Sequence, residues 1–184
     1  MQDVKKLLQI KFKMNIAKKF YKNNFSSLVE KNNLICSLLV ISIFSLDRVS
    51  KIKIIDHQLD NNRVYINDFI NFDLVWNAGV GFGFFSSNSN LTYNLITFII
   101  GVVIIFIIYL LIKSLFIDKI FFSLVLGGAL GNFYDRLTYY AVPDFIDIHY
   151  KSFHWFTFNM ADIFITLGII MLFGRELFIN NEKK

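Results

Sequence analysis

Four stretches of this chain, residues 34–49, 93–112, 120–137 and 158–178, are mainly apolar and approach the ~20 residues an α-helix needs to cross a bilayer. Little polar sequence lies between them, so a second folded unit has no room. A soluble domain of 184 residues would not be 55% hydrophobic with 22 phenylalanines and a mean hydropathy of +0.50. The composition therefore predicts a membrane α-helical fold of four transmembrane helices with a small extracytoplasmic, β-containing loop region. The expected division is a basic cytoplasmic extension over 1–33, a four-helix membrane domain over 34–178 and a cytoplasmic tail over 179–184. The single cysteine, Cys36, excludes an intrachain disulfide or a thiolate metal cluster.

Lysine placement sets the orientation, because cytoplasmic flanks carry an excess of Lys and Arg. Before the first span stand Lys5, Lys6, Lys11, Lys13, Lys18, Lys19, Lys22 and Lys31 against Asp3 and Glu30. Lys113 and Lys119 flank the second-to-third connection, and Arg175, Lys183 and Lys184 the C-terminus. The other two connections hold Asp56, Asp60, Asp68, Asp73, Asp144 and Asp147 against Lys51, Lys53, Arg63 and Lys151. Both termini are thus expected inside and these two loops outside. The +5 net charge reflects this orientation; no basic-aromatic module for nucleic acid is visible. Residues 4–28 mix apolar side chains with lysines, which fits an interfacial helix or a floppy basic tail, and the extension is too polar for a signal-peptide core.

The first outer loop contains two β-like runs, Val64-Tyr65-Ile66 and Phe72 to Trp76, and ends in Asn77-Ala78-Gly79-Val80-Gly81-Phe82-Gly83. Those glycines lack the GxGxxG spacing of a dinucleotide loop; they suit close approach to an extended peptide. Asp47, Lys51, Asn132, Asp135, Arg136, Asp144, Asn159 and Asp162 all fall near the outer leaflet in this topology. Asp162 lies only ~6 Å along its helix from Phe158. Carboxylates beside lipid are costly and invite a functional reading. Plainer readings stand beside it: Asp47 and Lys51, spaced i, i+4, make a structural ion pair. Asp135 and Arg136 anchor a helix end, with Arg136 snorkelling. Asn159 and Asp162 start a helix. His57, His149 and His154 lack ligand-spaced companions, so no metal is expected, and Trp76 and Trp155 read as interface anchors.

The order of Asp47-Arg48-Val49-Ser50-Lys51, Asn77-Ala78-Gly79, Gly127-Gly128-Ala129-Leu130-Gly131-Asn132-Phe133-Tyr134-Asp135-Arg136, Val142-Pro143-Asp144-Phe145 and Phe158-Asn159-Met160-Ala161-Asp162 resembles the lipoprotein signal peptidase family, also called signal peptidase II. These are intramembrane aspartic proteases. The likeness covers about 34–178; the extension lies outside it, and Gly81 stands where many relatives have alanine. It implies an endopeptidase of the bacterial inner membrane, with its site near the outer face. Such an enzyme removes signal peptides from diacylglyceryl-modified prolipoproteins, immediately before the lipidated cysteine. The family's catalytic aspartates fall on Asp144 and Asp162, and its supporting positions on Asp47, Lys51, Asn77, Gly79, Asn132, Asp135, Arg136, Asn159 and Ala161. Neither metal nor organic cofactor is implied; prolipoprotein and membrane lipid are the expected partners, and a monomer the expected state. Two adjacent carboxylates suit the chemistry, because one retains a proton while the other activates water. A small transporter using the same acids for cations, or a non-enzymatic scaffold, are the competing readings.

Overall fold

A computed structural model describes residues 31–60, 63–79 and 90–181. The stretch 4–28, Gly81, and the lysines at 183 and 184 lie outside the described residues. The chain divides after Ser37; the described residues of the first unit open the helix Lys31–Asp60, and the second unit, 38–184, holds the rest of that helix and every other described element. Among the described residues eight elements run in order: α1 Lys31–Asp60, β1 Val64–Asn67, β2 Ile70–Asn77, α2 Asn90–Lys113, α3 Phe116–Tyr139, β3 Val142–Tyr150, β4 Phe153–Phe158 and α4 Met160–Asn181.

The apolar runs do become helices. Two of them, Leu91–Lys113 and Phe116–Tyr139, are long and apolar enough to cross a membrane, with mean hydropathies of 3.3 and 1.4. In the first, only 6% of the apolar window is buried within the protein, and Phe98, Ile105 and Phe106 point outward. Such a surface is stable only against an apolar solvent. In α1 the apolar run is interrupted by Asp47, Arg48, Lys51 and Lys53, and α4 is bounded by Asp162 at one end and by Arg175 and Glu176 at the other.

Two elements differ from the sequence expectation. The first span was expected to close at Val49, yet α1 continues to Asp60. Its last turns are polar but bound to the sheet: Gln58 Nε2 donates to Phe72 O at 3.1 Å, and Gln58 Oε1 accepts from Leu74 N–H at 2.7 Å. No strand was assigned from sequence to the second outer loop, and it forms β3 and β4. The four strands make one antiparallel sheet in the order β1-β2-β3-β4, so the two hairpins join through β2 and β3. At the first hairpin, Asn67 Oδ1 accepts the N–H groups of Phe69 and Ile70, both at 2.9 Å, which fixes the turn.

α3 packs principally along α4 and also against α2, with glycines where helices meet. A Cβ on Gly128 would stand 2.5 Å from the Ala161 carbonyl oxygen of α4, and one on Gly131 would stand 2.4 Å from Asp47 Oδ2 of α1. Backbone closeness of this kind is available only to glycine. Gly128→Ala must therefore push the α3 and α4 backbones apart, and we expect a loss of about 1–3 kcal/mol, seen as lower melting in detergent. Gly174→Ala meets nothing within 4 Å; it should melt at or slightly above the parent, and equal melting of the two variants would contradict the packing account.

Candidate active site

The site forms where β2, β3, the middle of α1, the later turns of α3 and the start of α4 converge. β2 and β3 pair with Val75 opposite Asp144 and Asn77 opposite Val142, so Asn77 is the diagonal neighbour of Asp144 on one face. β4 ends at Phe158 and the chain enters α4 through Asn159. There a reciprocal cap forms: Asp162 N–H donates to Asn159 Oδ1 at 3.2 Å, and Asn159 N–H donates to Asp162 Oδ2 at 3.1 Å. A second acceptor reaches this helix start from α1, as Asp47 Oδ1 accepts from Ala161 N–H at 3.0 Å.

Every oxygen of Asp144 and Asp162 receives one N–H donor. Asp144 Oδ1 accepts from Asn159 Nδ2 at 2.6 Å and Asp144 Oδ2 from Asn77 Nδ2 at 2.9 Å. Asp162 Oδ1 accepts from Asn132 Nδ2 at 2.8 Å, and its Oδ2 from the Asn159 backbone. Side-chain amides are ambiguous by shape, but these three are fixed by groups that can only donate. Asn77 Oδ1 takes Gly79 N–H at 2.8 Å, Asn159 Oδ1 takes Asp162 N–H, and Asn132 Oδ1 takes Lys51 Nζ at 2.8 Å. Their NH2 groups have only the carboxylates left to face.

Behind the acids lies a buried ion cluster with two charges of each sign. Lys51 Nζ donates to Asp47 Oδ2 at 2.8 Å and to Asp135 Oδ2 at 2.7 Å, and Arg48 Nη1 binds Asp135 Oδ1. Lys51, Asp47 and Asp135 are fully buried. The Arg48 guanidinium also lies 4.8 Å from the centre of the Tyr134 ring. Such a cluster adds little net stability over apolar packing, yet losing one member would leave a charge uncompensated. For Arg136 a snorkelling anchor was the plainer reading, beside the supporting role that the resemblance implies. It is buried, with Nη2 on Gly79 O and Nη1 without an acceptor among the described residues, while Tyr93 OH donates to Arg136 O at 2.9 Å. Arg136 thus ties α3 to the loop after β2.

All eleven residues singled out from sequence, Asp47, Lys51, Asn77, Gly79, Asn132, Asp135, Arg136, Asp144, Asn159, Ala161 and Asp162, fall in this one connected network. Arg48 and Tyr93 were not singled out. For Arg48 the available signal was a second basic residue beside Asp47; for Tyr93 there was none. Trp76 and Trp155 are both exposed, and Trp76 stands edge-on to Tyr139 at 5.6 Å. His149 and His154 stack at 5.4 Å beside Asp147, on the sheet. No group of three or more His, Cys, Asp or Glu among the described residues is arranged to hold a metal ion.

Electrostatics distinguish Asp144. Burial pushes its pKa up and the neighbouring Asp162 charge adds to this, while the amides of Asn77 and Asn159 and the Lys51 charge pull down; the result is about 6, from an ordinary 3.8. The folded protein therefore holds a proton that the unfolded chain releases across this interval. Its contribution to stability is complete below 3.8 and is lost as pH rises to about 6, a change on the order of 1–3 kcal/mol. Asp144→Asn cannot titrate. We expect the melting temperature of the parent minus that of this variant to fall between pH 4 and 6.5 and to level off above; a flat or rising difference would refute the assignment.

Residues 39–178 match the model of a family described as signal peptidase (SPase) II. The lipoprotein signal peptidase of Pelagibacter ubique (strain HTCC1062) is 46% identical over 158 residues, spanning 83% of this chain and 93% of that protein. That of Anaplasma marginale (strain Florida) is 35% identical over 149 residues, 80% of this chain and 86% of the relative. A solved bacterial membrane enzyme, determined by the in meso method at 2.3 Å, superposes with a TM-score of 0.67 at 30% identity, covering 82% of this chain and 92% of its own.

Proposed function

Since the chain belongs to the signal peptidase II family, we propose that it is an aspartic endopeptidase that cleaves the signal peptide from diacylglyceryl-modified prolipoproteins, just before the lipidated cysteine, with Asp144 and Asp162 as its catalytic pair. The observation that carries the assignment is the donor set: four carboxylate oxygens, each with one fixed N–H, joined through Asn159. Each oxygen keeps a lone pair for a water or a shared proton. Asp144, its acid form favoured by burial and by the second carboxylate, is suited to hold that proton. The ionised partner takes a proton from water as it attacks the scissile carbonyl, while the protonated partner donates to the carbonyl oxygen. The apparent pKa values belong to the pair. Asn77, Asn132 and Asn159 orient the acids, Arg136 and Gly79 shape the wall beside them, and Asp47, Lys51, Asp135 and Ala161 support the start of α4. No step calls on a metal or an organic cofactor.

The topology proposed with this function has four spans, both termini in the cytoplasm and the pair near the outer face of the inner membrane. Outward-facing Leu38, Ile41 and Leu46 on α1, and Ile170, Phe173 and Leu177 on α4, support lipid contact for the two helices whose charges interrupt their apolar runs. The half-buried position of Asp162 and Asn132, beside a sheet rather than at mid-helix, supports access for water and for a substrate held in lipid. A monomer suffices, because every group named comes from one chain.

The purified protein should release the signal peptide from a diacylglyceryl-modified precursor and leave the unmodified precursor intact. Asp144→Asn and Asp162→Asn should each lower the rate per folded molecule by at least about 10³-fold, because an amide cannot exchange the proton. Normal processing by either variant would overturn the assignment.

A further inference from the structure

We infer that Lys51 is a positioning residue for the catalytic pair: through its bond to Asn132 Oδ1 it dictates which end of that amide faces Asp162. The inference deepens the proposed function and rests on it. Of the three amides that serve the carboxylates, two are fixed locally, Asn77 by the N–H two residues on and Asn159 by the N–H three residues on. Asn132 has no such option. It lies within α3, seven residues before that helix ends, where the neighbouring backbone N–H groups are engaged along the helix. A donor for its oxygen must come from another element, and among the described residues it is Lys51 of α1, 81 residues away in sequence.

The chemistry of that donor matters. A hydroxyl both gives and accepts, so it would satisfy Asn132 in either orientation; an ammonium only gives. With Lys51 in place, reversing the amide would set its NH2 against the ammonium and its oxygen against Asp162 Oδ1. Lys51 is fully buried and its three N–H groups are used on Asp47, Asn132 and Asp135. It therefore reaches the carboxylate of Asp162 through Asn132 and not by a bond of its own. The ion cluster alone does not demand this arrangement, since Arg48 already binds Asp135 and Asp47 has Ala161 N–H as a second partner.

That redundancy supplies the test. Asp47→Asn with Lys51→Met removes one charge of each sign, keeps an acceptor for Ala161 N–H and leaves the Arg48–Asp135 pair, but frees the Asn132 oxygen. Cleavage of diacylglyceryl-modified precursor is measured for the parent, this double variant, Asn132→Ala, and all three substitutions together, with Asp144→Asn as the inactive control. A positioning role predicts a kcat per folded molecule lower by about 10- to 100-fold at unchanged KM, the scale of a misplaced catalytic group. The same pair of substitutions should change the rate by less than about 2-fold once Asn132 is already alanine. A folded double variant with kcat within about 2-fold of the parent, or an equal loss with and without Asn132, overturns the inference while the parent's activity preserves the functional reading. If the parent itself leaves the precursor uncut, the functional reading fails first. Should the double variant not fold, Asp47→Asn with Lys51→Gln, whose amide can still donate, must fold and cleave faster than Asn132→Ala; failure of that variant to fold or to exceed this rate assigns Lys51 to folding alone and overturns the proposal.

Discussion

A lysine ammonium withdrawn wholly from solvent is tolerable only if its charge and all three N–H groups are answered, and Lys51 meets that condition with Asp47, Asn132 and Asp135. The answer fixes much else. Asp47 must stand against α3, which requires glycine at 131; it must also reach Ala161 N–H, which sets the start of α4 beside α1. Asp135 is held from two sides by Arg48 and Lys51, so the last turns of α3 have one rotation about their axis. Asn132 and Arg136, on neighbouring turns of the same helix, then point toward Asp162 and Gly79. The apolar exteriors of the helices do not specify such a rotation, because lipid accepts any of their faces equally.

The sheet contributes the other half of the site by different means. β3 carries Asp144 opposite Val75 of β2, with Asn77 on β2 placed by strand register. Gln58 fastens β2 to the end of α1, so sheet and helices meet through directed side-chain bonds as well as packing. An acid delivered by a strand and an acid delivered by a helix start thus share one set of asparagines. Neither element could hold both.

The helices were legible because hydropathy over ~20 residues is a strong signal, and the acids because they stand at the margins of apolar runs in a recognisable order. The extension of α1 to Asp60 was not, since Lys51 to Asp60 reads as polar loop until Gln58 finds its strand. β3 was hidden for a related reason: Asp144, Asp147 and His149 are polar yet buried, which removes the alternation that marks a strand. The bond between Arg48 and Asp135, 87 residues apart, has no local trace. Asn159 and Asp162 carried a double reading, as helix cap or as site, and the geometry makes them one arrangement serving both.

That dual use limits how the cleft can yield. A bound molecule that draws Asp162 toward itself must take the carboxylate from Asn159 N–H and loosen the first turn of α4, where Asp47 also holds on. The helical wall is consequently stiff against ligands of the wrong shape. Compounds built to grip this helix start would gain from its immobility.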